Sequence, residues 1–241
     1  MPVRDRSHWE PRLTWREPCH YGEPWLDWYA DVTRKAALRA IWPGRGLSVI
    51  DVGGGDGRLA LWLRRYYKVR IWGLDAYAWP GADGRFHGLV VGDAEAKSTW
   101  QELDARAGSA LWDVALYVTS LPFMTDWRAA LALGAARSRR VLVLENLQQP
   151  TPRWQVGWPE KEPITFDQLV TEAALVGLRV ERTRCVTVLD RRLFLWLPAW
   201  VAAVVSVPID LAVARLWPGP TSQQAWSGRY AAVLFQSEWH P

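Results

Sequence analysis

A glycine-rich turn constrains the fold of this chain more than any other feature. Residues 47–52 form an apolar, β-branched run with Asp51 near its end, and a helical pattern follows at 57–67. Between the two patterns stand Gly53, Gly54, Gly55 and Gly57. Glycine accepts positive φ and lets a ligand approach the main chain, and the first helical turn has free N–H groups. This strand, turn and helix start predict a site for a nucleotide-like ligand.

Strand and helix patterns alternate along the rest of the chain. Further strands are predicted at 69–74, 88–92, 112–118, 140–146, 178–188 and 230–235. Further helices are predicted at 94–107, 126–138 and 166–176. Such alternation indicates an α/β fold with a doubly wound parallel sheet, and it is incompatible with a helical bundle or a β-sandwich.

Composition narrows the class of protein further. The 241 residues are 49% apolar and 22% charged, as in an ordinary globular protein. The net charge of +4 is small and spread out, which argues against nucleic-acid binding. Cys19 and Cys185 lack metal-ligand spacing, so neither a zinc site nor a disulfide framework is expected. The charged N-terminus has no apolar signal segment, so we expect a cytoplasmic location.

The spacing Asp-x-Gly-x-Gly-x-Gly from Asp51 to Gly57 resembles the first motif of class I S-adenosylmethionine-dependent methyltransferases. Three later segments fit that family in order: 69–75, which ends in Asp75; 89–94, which contains Asp93; and 112–120. The resemblance covers roughly residues 45–190, and the last strand at 230–235 adds a shorter match. It implies a seven-stranded sheet whose last strand is antiparallel.

The resemblance also implies a cofactor, S-adenosyl-L-methionine, and a set of binding residues. Asp75 would accept the ribose hydroxyls, as an acid does in dinucleotide folds, and Asp93 would accept from the adenine amino group. The complete implied cofactor set is Asp51, Gly53, Gly55, Gly57, Asp75, Ala76, Asp93, Ala94 and Thr119. Methyl transfer from a sulfonium requires alignment of donor and acceptor rather than a metal.

Other nucleotide-binding classes fit the turn less well. The dinucleotide fingerprint Gly-x-Gly-x-x-Gly would need glycine at 58 or 60, where the chain has Arg58 and Ala60. A phosphate loop is excluded because no Gly-Lys-Ser/Thr follows. A nucleotide-dependent oxidoreductase stays the alternative enzyme. A catalytically silent cofactor-binding partner subunit is the alternative outside enzymes.

The segment 77–87 departs from the family, which has a helix at this place. Pro80, Gly81 and Gly84 favour a loop here. Tyr77 or Trp79 could stack on adenine or simply pack against the next helix.

The N-terminal region supplies the candidate catalytic residues. Residues 1–44 are interpreted as an arm with a lid helix at 23–42, and 45–241 as the methyltransferase domain. His20 is the best candidate for a general base because histidine titrates near neutrality, and Tyr21 stands beside it. His8 and His87 are weaker candidates. The alignment surface for the acceptor is expected at the ends of the fourth and fifth strands, from Thr119, Ser120, Glu145 and Asn146.

An apolar insertion, 191–218, separates the sixth and seventh strands. No residue from Leu193 to Ile209 is charged, but Pro198 and Pro208 interrupt the run. A single membrane crossing would place two strands of one sheet on opposite sides, so a span is excluded. The insertion is interpreted as a peripheral membrane contact, a homodimer surface or a lid over an apolar pocket. The acceptor is therefore expected to be an oxygen or nitrogen of an apolar or lipid-linked small molecule.

Overall fold

The computed structural model describes residues 34–145, 147, 164–187, 205, 208, 209, 212 and 230–240. The strands are β1 Ser48–Val52, β2 Arg70–Asp75, β3 Gly88–Val91, β4 Trp112–Val118, β5 Ser138–Glu145, β6 Leu178–Thr187 and β7 Tyr230–Ser237. The helices are α1 at 34–41, α2 Arg58–Tyr67, α3 Lys97–Ala107, α4 Trp127–Ala135 and α5 Phe166–Leu175. A short 3₁₀ turn, Leu121–Phe123, follows β4.

All seven strands lie in one sheet with the order β3-β2-β1-β4-β5-β7-β6. Strands β1 to β5 are parallel to one another, and β7 lies antiparallel between β5 and β6. The predicted doubly wound seven-stranded sheet with an antiparallel last strand is confirmed.

The central strands β1, β4, β5 and β7 are buried on both faces of the sheet, which explains why they are mostly apolar. Alternate side chains of β4 enter different clusters: Ala115 and Tyr117 lie on one face, Val114 and Leu116 on the other. The first cluster contacts α3, α4 and α5, and the second contacts α1 and α2. This packing fixes the strand ends against one another and thereby positions the loops that follow them.

Two predicted helix boundaries are wrong for local reasons. Helix α3 begins at Lys97 instead of 94, because Asp93 forms a turn whose side chain accepts from Glu95 N at 2.9 Å. Helix α4 ends at Ala135 instead of 138, because Ser138 already pairs with Trp112 in the sheet. The other predicted strands and helices lie within a few residues of their observed positions.

The segment between β2 and β3 is a series of turns, as predicted. Arg64 of α2 stabilises it by donating to the Arg85 carbonyl at 2.9 Å, and Phe86 is buried beneath the glycine turn. The first 33 residues of the predicted arm and most of the predicted insertion lie outside the described residues. No helix in the described part of the chain combines the length and the apolar character that a membrane crossing requires.

Candidate functional site

The glycine turn lies where the sheet topology creates a crevice. The chain runs from β1 outward through β2 to β3, and then returns to the other side of β1 as β4 and β5. The carboxyl ends of these parallel strands meet at one edge, and ligands in such folds bind where the strand order reverses. The turn after β1 and the loop after β4 are therefore neighbours at the switch point.

The turn closes through contacts that require glycine. Gly53 has φ +73° and Gly55 has φ +57°. A Cβ on Gly53 would come 2.6 Å from the Cβ of Ser120, whereas a Cβ on Gly55 would meet no atom within 4 Å. Glycine is thus needed at 53 for close packing and at 55 for backbone conformation beside an open space. That open space is what a ligand lying on the main chain would fill.

Asp75 at the end of β2 is joined directly to this turn. It is only 6% exposed, and its Oδ2 accepts from Gly55 N at 2.9 Å. Its Oδ1 accepts from Tyr77 N at 2.9 Å and from the indole Nε1 of Trp79 at 3.0 Å. Burial raises the pKa of Asp75, and these hydrogen bonds oppose that rise. The carboxylate is held rigidly beside the open space over Gly55.

Asp51 is the second buried carboxyl of the site. It is 1% exposed, and its Oδ2 has no hydrogen-bond partner among the described residues. Burial, followed by the charge of Asp75, raises the pKa of Asp51 to about 7, while Arg34 opposes the rise. A buried oxygen without a partner costs free energy and is a ready acceptor for a ligand donor.

Arg34 in α1 belongs to the site and was missed in the sequence. Its Nη2 donates to the Thr119 hydroxyl at 3.1 Å, so α1 contacts the loop after β4. In the sequence, Arg34 is one of several basic residues of an amphipathic helix. Nothing there distinguishes it from an arginine that faces solvent.

The loop after β4 is strained and held by Glu145. Thr119 has φ +52°, which is rare for a residue with a β-branched side chain. The buried Oε1 of Glu145 accepts from Ser120 N at 2.6 Å and from Leu121 N at 3.0 Å. The Ser120 hydroxyl is buried and has no hydrogen-bond partner among the described residues. An acid at the end of β5 thus fixes the backbone of the loop that faces the glycine turn.

Asp93 and Ala94 lie beside Asp75 because Gly92 N donates to the Asp75 carbonyl at 2.8 Å. The Ala94 carbonyl accepts from the indole of Trp100 at 2.8 Å, which anchors this loop to α3. Most of the residues expected from the sequence to bind the cofactor therefore stand at one edge of the sheet.

Of the three histidines considered as a base, His87 alone lies in the described part of the chain. His87 lies at the opposite edge, before β3, where its Nδ1 accepts from Ile71 N at 3.1 Å. Burial and the charge of Arg64 lower its pKa. We therefore reject His87 as a base for chemistry at the glycine turn. His8, His20, Tyr21 and Asn146 lie outside the described residues. Within the described ranges, no three His, Cys, Asp or Glu side chains are grouped to hold a metal ion.

No protein-family model matches the sequence, and no curated protein sequence matches it significantly. Solved structures match the fold. One match is a chain from the complex between the Haloferax volcanii Trm112 methyltransferase activator and a methyltransferase. It has a TM-score of 0.59 and 14% identity, over 88% of this chain and 92% of that one. Another match is magnesium protoporphyrin IX methyltransferase from Synechocystis, with bound S-adenosylmethionine. It has a TM-score of 0.56 and 11% identity, over 98% of this chain and 95% of that one.

The [4+2]-cyclase SpnF also matches, with a TM-score of 0.52 and 15% identity over 86% of this chain and 80% of that one. Together with the strand order, these similarities show that the chain has the fold of class I S-adenosylmethionine-dependent methyltransferases. The cyclase illustrates that one fold can host different reactions.

Proposed function

We propose that this protein is an S-adenosylmethionine-dependent methyltransferase that methylates an oxygen or nitrogen of a small molecule. The observation that carries the proposal is the pairing of Gly55 N with the Asp75 carboxylate beside an open space. This arrangement leaves a backbone surface next to a fixed acceptor for sugar hydroxyls. Its position at the sheet switch point is where the fold binds nucleotide-like ligands.

The residues at the carboxyl ends of the parallel strands can be assigned to the parts of the cofactor. Asp75 would accept from the ribose, and Asp93 with Ala94 would border the adenine. Ala76 and Thr119 would flank the ligand, and the backbone of the glycine turn would lie beneath it. The unpaired Oδ2 of Asp51 is an acceptor suited to the ammonium of the amino-acid part.

The cofactor supplies a methyl group on a sulfonium, and the chain supplies alignment and exclusion of water. Glu145 fixes the loop after β4, in which Ser120 contacts Gly53 and Thr119 accepts from Arg34. These residues are proposed to position the acceptor. His20, beside Tyr21, stays the proposed base in the arm, because histidine exchanges a proton near neutral pH.

The acceptor is proposed to be apolar or lipid-linked, which rests on the sequence of the insertion 191–218. The same insertion is proposed to contact a membrane surface or a second subunit. Vesicle flotation and light scattering of the full chain, compared with a chain whose insertion carries Trp196→Glu and Trp200→Glu, distinguish the two. Loss of flotation supports membrane contact, and loss of a dimer supports a subunit interface.

The test of the cofactor is calorimetric titration with S-adenosylmethionine, S-adenosylhomocysteine and NADPH in parallel. We expect binding of the adenosyl ligands alone, and a decrease in their affinity of about tenfold or more in Asp75→Asn. Asp83→Asn, in the same loop but exposed, is the matched control and should leave affinity unchanged. Binding of NADPH alone would favour the oxidoreductase, and binding of none of the three ligands would contradict the proposed function.

A further inference from the structure

The carboxylate of Asp75 is already close to saturated with hydrogen bonds. A carboxylate offers about four acceptor positions, two on each oxygen. The Tyr77 amide and the Trp79 indole fill both positions on Oδ1, at 2.9 and 3.0 Å, and the Gly55 amide fills one on Oδ2. The Ala76 amide also lies close enough to lower the pKa of Asp75, so at most one position is left for a ligand.

A ribose presents two neighbouring hydroxyls, so one of the existing donors must leave before both hydroxyls can bind. The Gly55 and Tyr77 donors are main-chain amides fixed by the glycine turn and by the end of β2. Trp79 donates from a side chain in the turn segment between β2 and β3, and it is only half-buried. Rotation of this side chain would free the position and leave the backbone in place, at the cost of part of the packing of Trp79 against the core cluster beneath α1 and α2. Trp79 is therefore the donor that a ribose can displace.

We propose that the Trp79 indole occupies the place of one ribose hydroxyl on Asp75 and is displaced when an adenosyl ligand binds. This inference rests on the proposed function, since it concerns how that ligand shares Asp75. It makes Trp79 a determinant of sugar specificity. A ligand that lacks the corresponding hydroxyl loses little, because the indole N–H keeps its hydrogen bond to the carboxylate.

The experiment measures the affinities of S-adenosylhomocysteine and its 2′-deoxy and 3′-deoxy analogues for the full chain and for Trp79→Phe. In the unmodified chain, we expect one of the two deoxy analogues to bind within about threefold of the parent ligand. In Trp79→Phe, the parent should bind about tenfold more tightly, and the same analogue should lose about tenfold or more relative to the parent. Trp239→Phe, at the opposite edge and 58% exposed, is the matched control and should change neither value.

Two outcomes would overturn the inference alone. The first is a penalty of about tenfold or more for both deoxy analogues in the unmodified chain, a measurement that needs no folded variant. The second is weaker binding of all three probes by Trp79→Phe, which would mean that the indole supports Asp75 instead of competing for it. Absence of binding by any adenosyl probe would overturn the proposed function, and this inference with it.

Discussion

The backbone of Gly53 lies against the side chain of Ser120 so closely that a Cβ at position 53 would stand 2.6 Å from the Ser120 Cβ. The turn after β1 and the loop after β4 are therefore in direct contact at the site. Gly53 also has φ +73°. Gly53→Ala is expected to lower the free energy of unfolding by about 2–4 kcal/mol, because it adds steric overlap to backbone strain. Chemical denaturation measures this change.

Gly46→Ala separates the two contributions. Gly46 has φ +72°, but a Cβ there would meet no atom within 4 Å. It should therefore cost only the strain, about 1–2 kcal/mol. Equal losses in the two variants would show that the contact between Gly53 and Ser120 is looser than the structure indicates.

Gly55→Ala tests where the cofactor lies. Gly55 has φ +57° and open space beside it, so the loss of stability should equal that of Gly46→Ala. The new methyl group would, however, stand in the space proposed for the ligand. We expect the affinity for S-adenosylhomocysteine to fall at least about tenfold, as measured by calorimetry. An unchanged affinity would mean that the ligand does not lie on this turn.

The buried carboxyl of Asp51 predicts a pH dependence of stability. Its pKa in the folded chain, about 7, lies above its usual 3.8, so the folded chain keeps a proton that the unfolded chain releases between these values. The stabilising contribution of the protonated form is complete below pH 4 and is lost as the pH rises to about 7. Asparagine cannot ionise, so Asp51→Asn should not show this loss. The free energy of unfolding of Asp51→Asn minus that of the unmodified chain should therefore increase by up to ~4 kcal/mol from pH 4 to pH 8.

Denaturation curves over this pH range measure the effect, with the exposed Asp83→Asn as the control. A constant difference between Asp51→Asn and the unmodified chain would contradict the raised pKa. The affinity of the unmodified chain for S-adenosylhomocysteine should rise over the same range, because only the ionised carboxylate attracts the ligand ammonium. Asp51→Asn should lack that rise.

The side chain of Tyr117 is expected to make any residue larger than glycine destabilising at position 134 in α4. The buried hydroxyl of Tyr117 donates to the Ala130 carbonyl at 2.7 Å, and a Cβ on Gly134 would overlap that hydroxyl. Gly134→Ala should cost about 1–3 kcal/mol of stability, since such a core cannot accept added volume without rearrangement. In Tyr117→Phe, which lacks the hydroxyl, the same substitution should cost clearly less. Equal costs in both backgrounds would contradict the proposed overlap.

Local sequence patterns were sufficient to predict the strands and the glycine turn. The apolar run before Asp51 and the glycines after it predict a strand and a turn with positive φ, because strand propensity and glycine conformation are properties of neighbouring residues. The helix boundaries at 94 and 138 were predicted less well. There, an Asx turn at Asp93 and sheet pairing of Ser138 override the periodic pattern.

The sequence by itself determined the order of the strands and helices, the doubly wound class of fold and the acids that stand at the strand ends. Only the tertiary structure decided which donors those acids accept from. The Trp79 indole on Asp75, the Glu145 carboxylate on the loop after β4 and Arg34 on Thr119 join segments that are separated along the chain or lie in irregular loops. Periodicity reports which face of an element is buried, whereas these contacts depend on where the sheet places the ends of its strands.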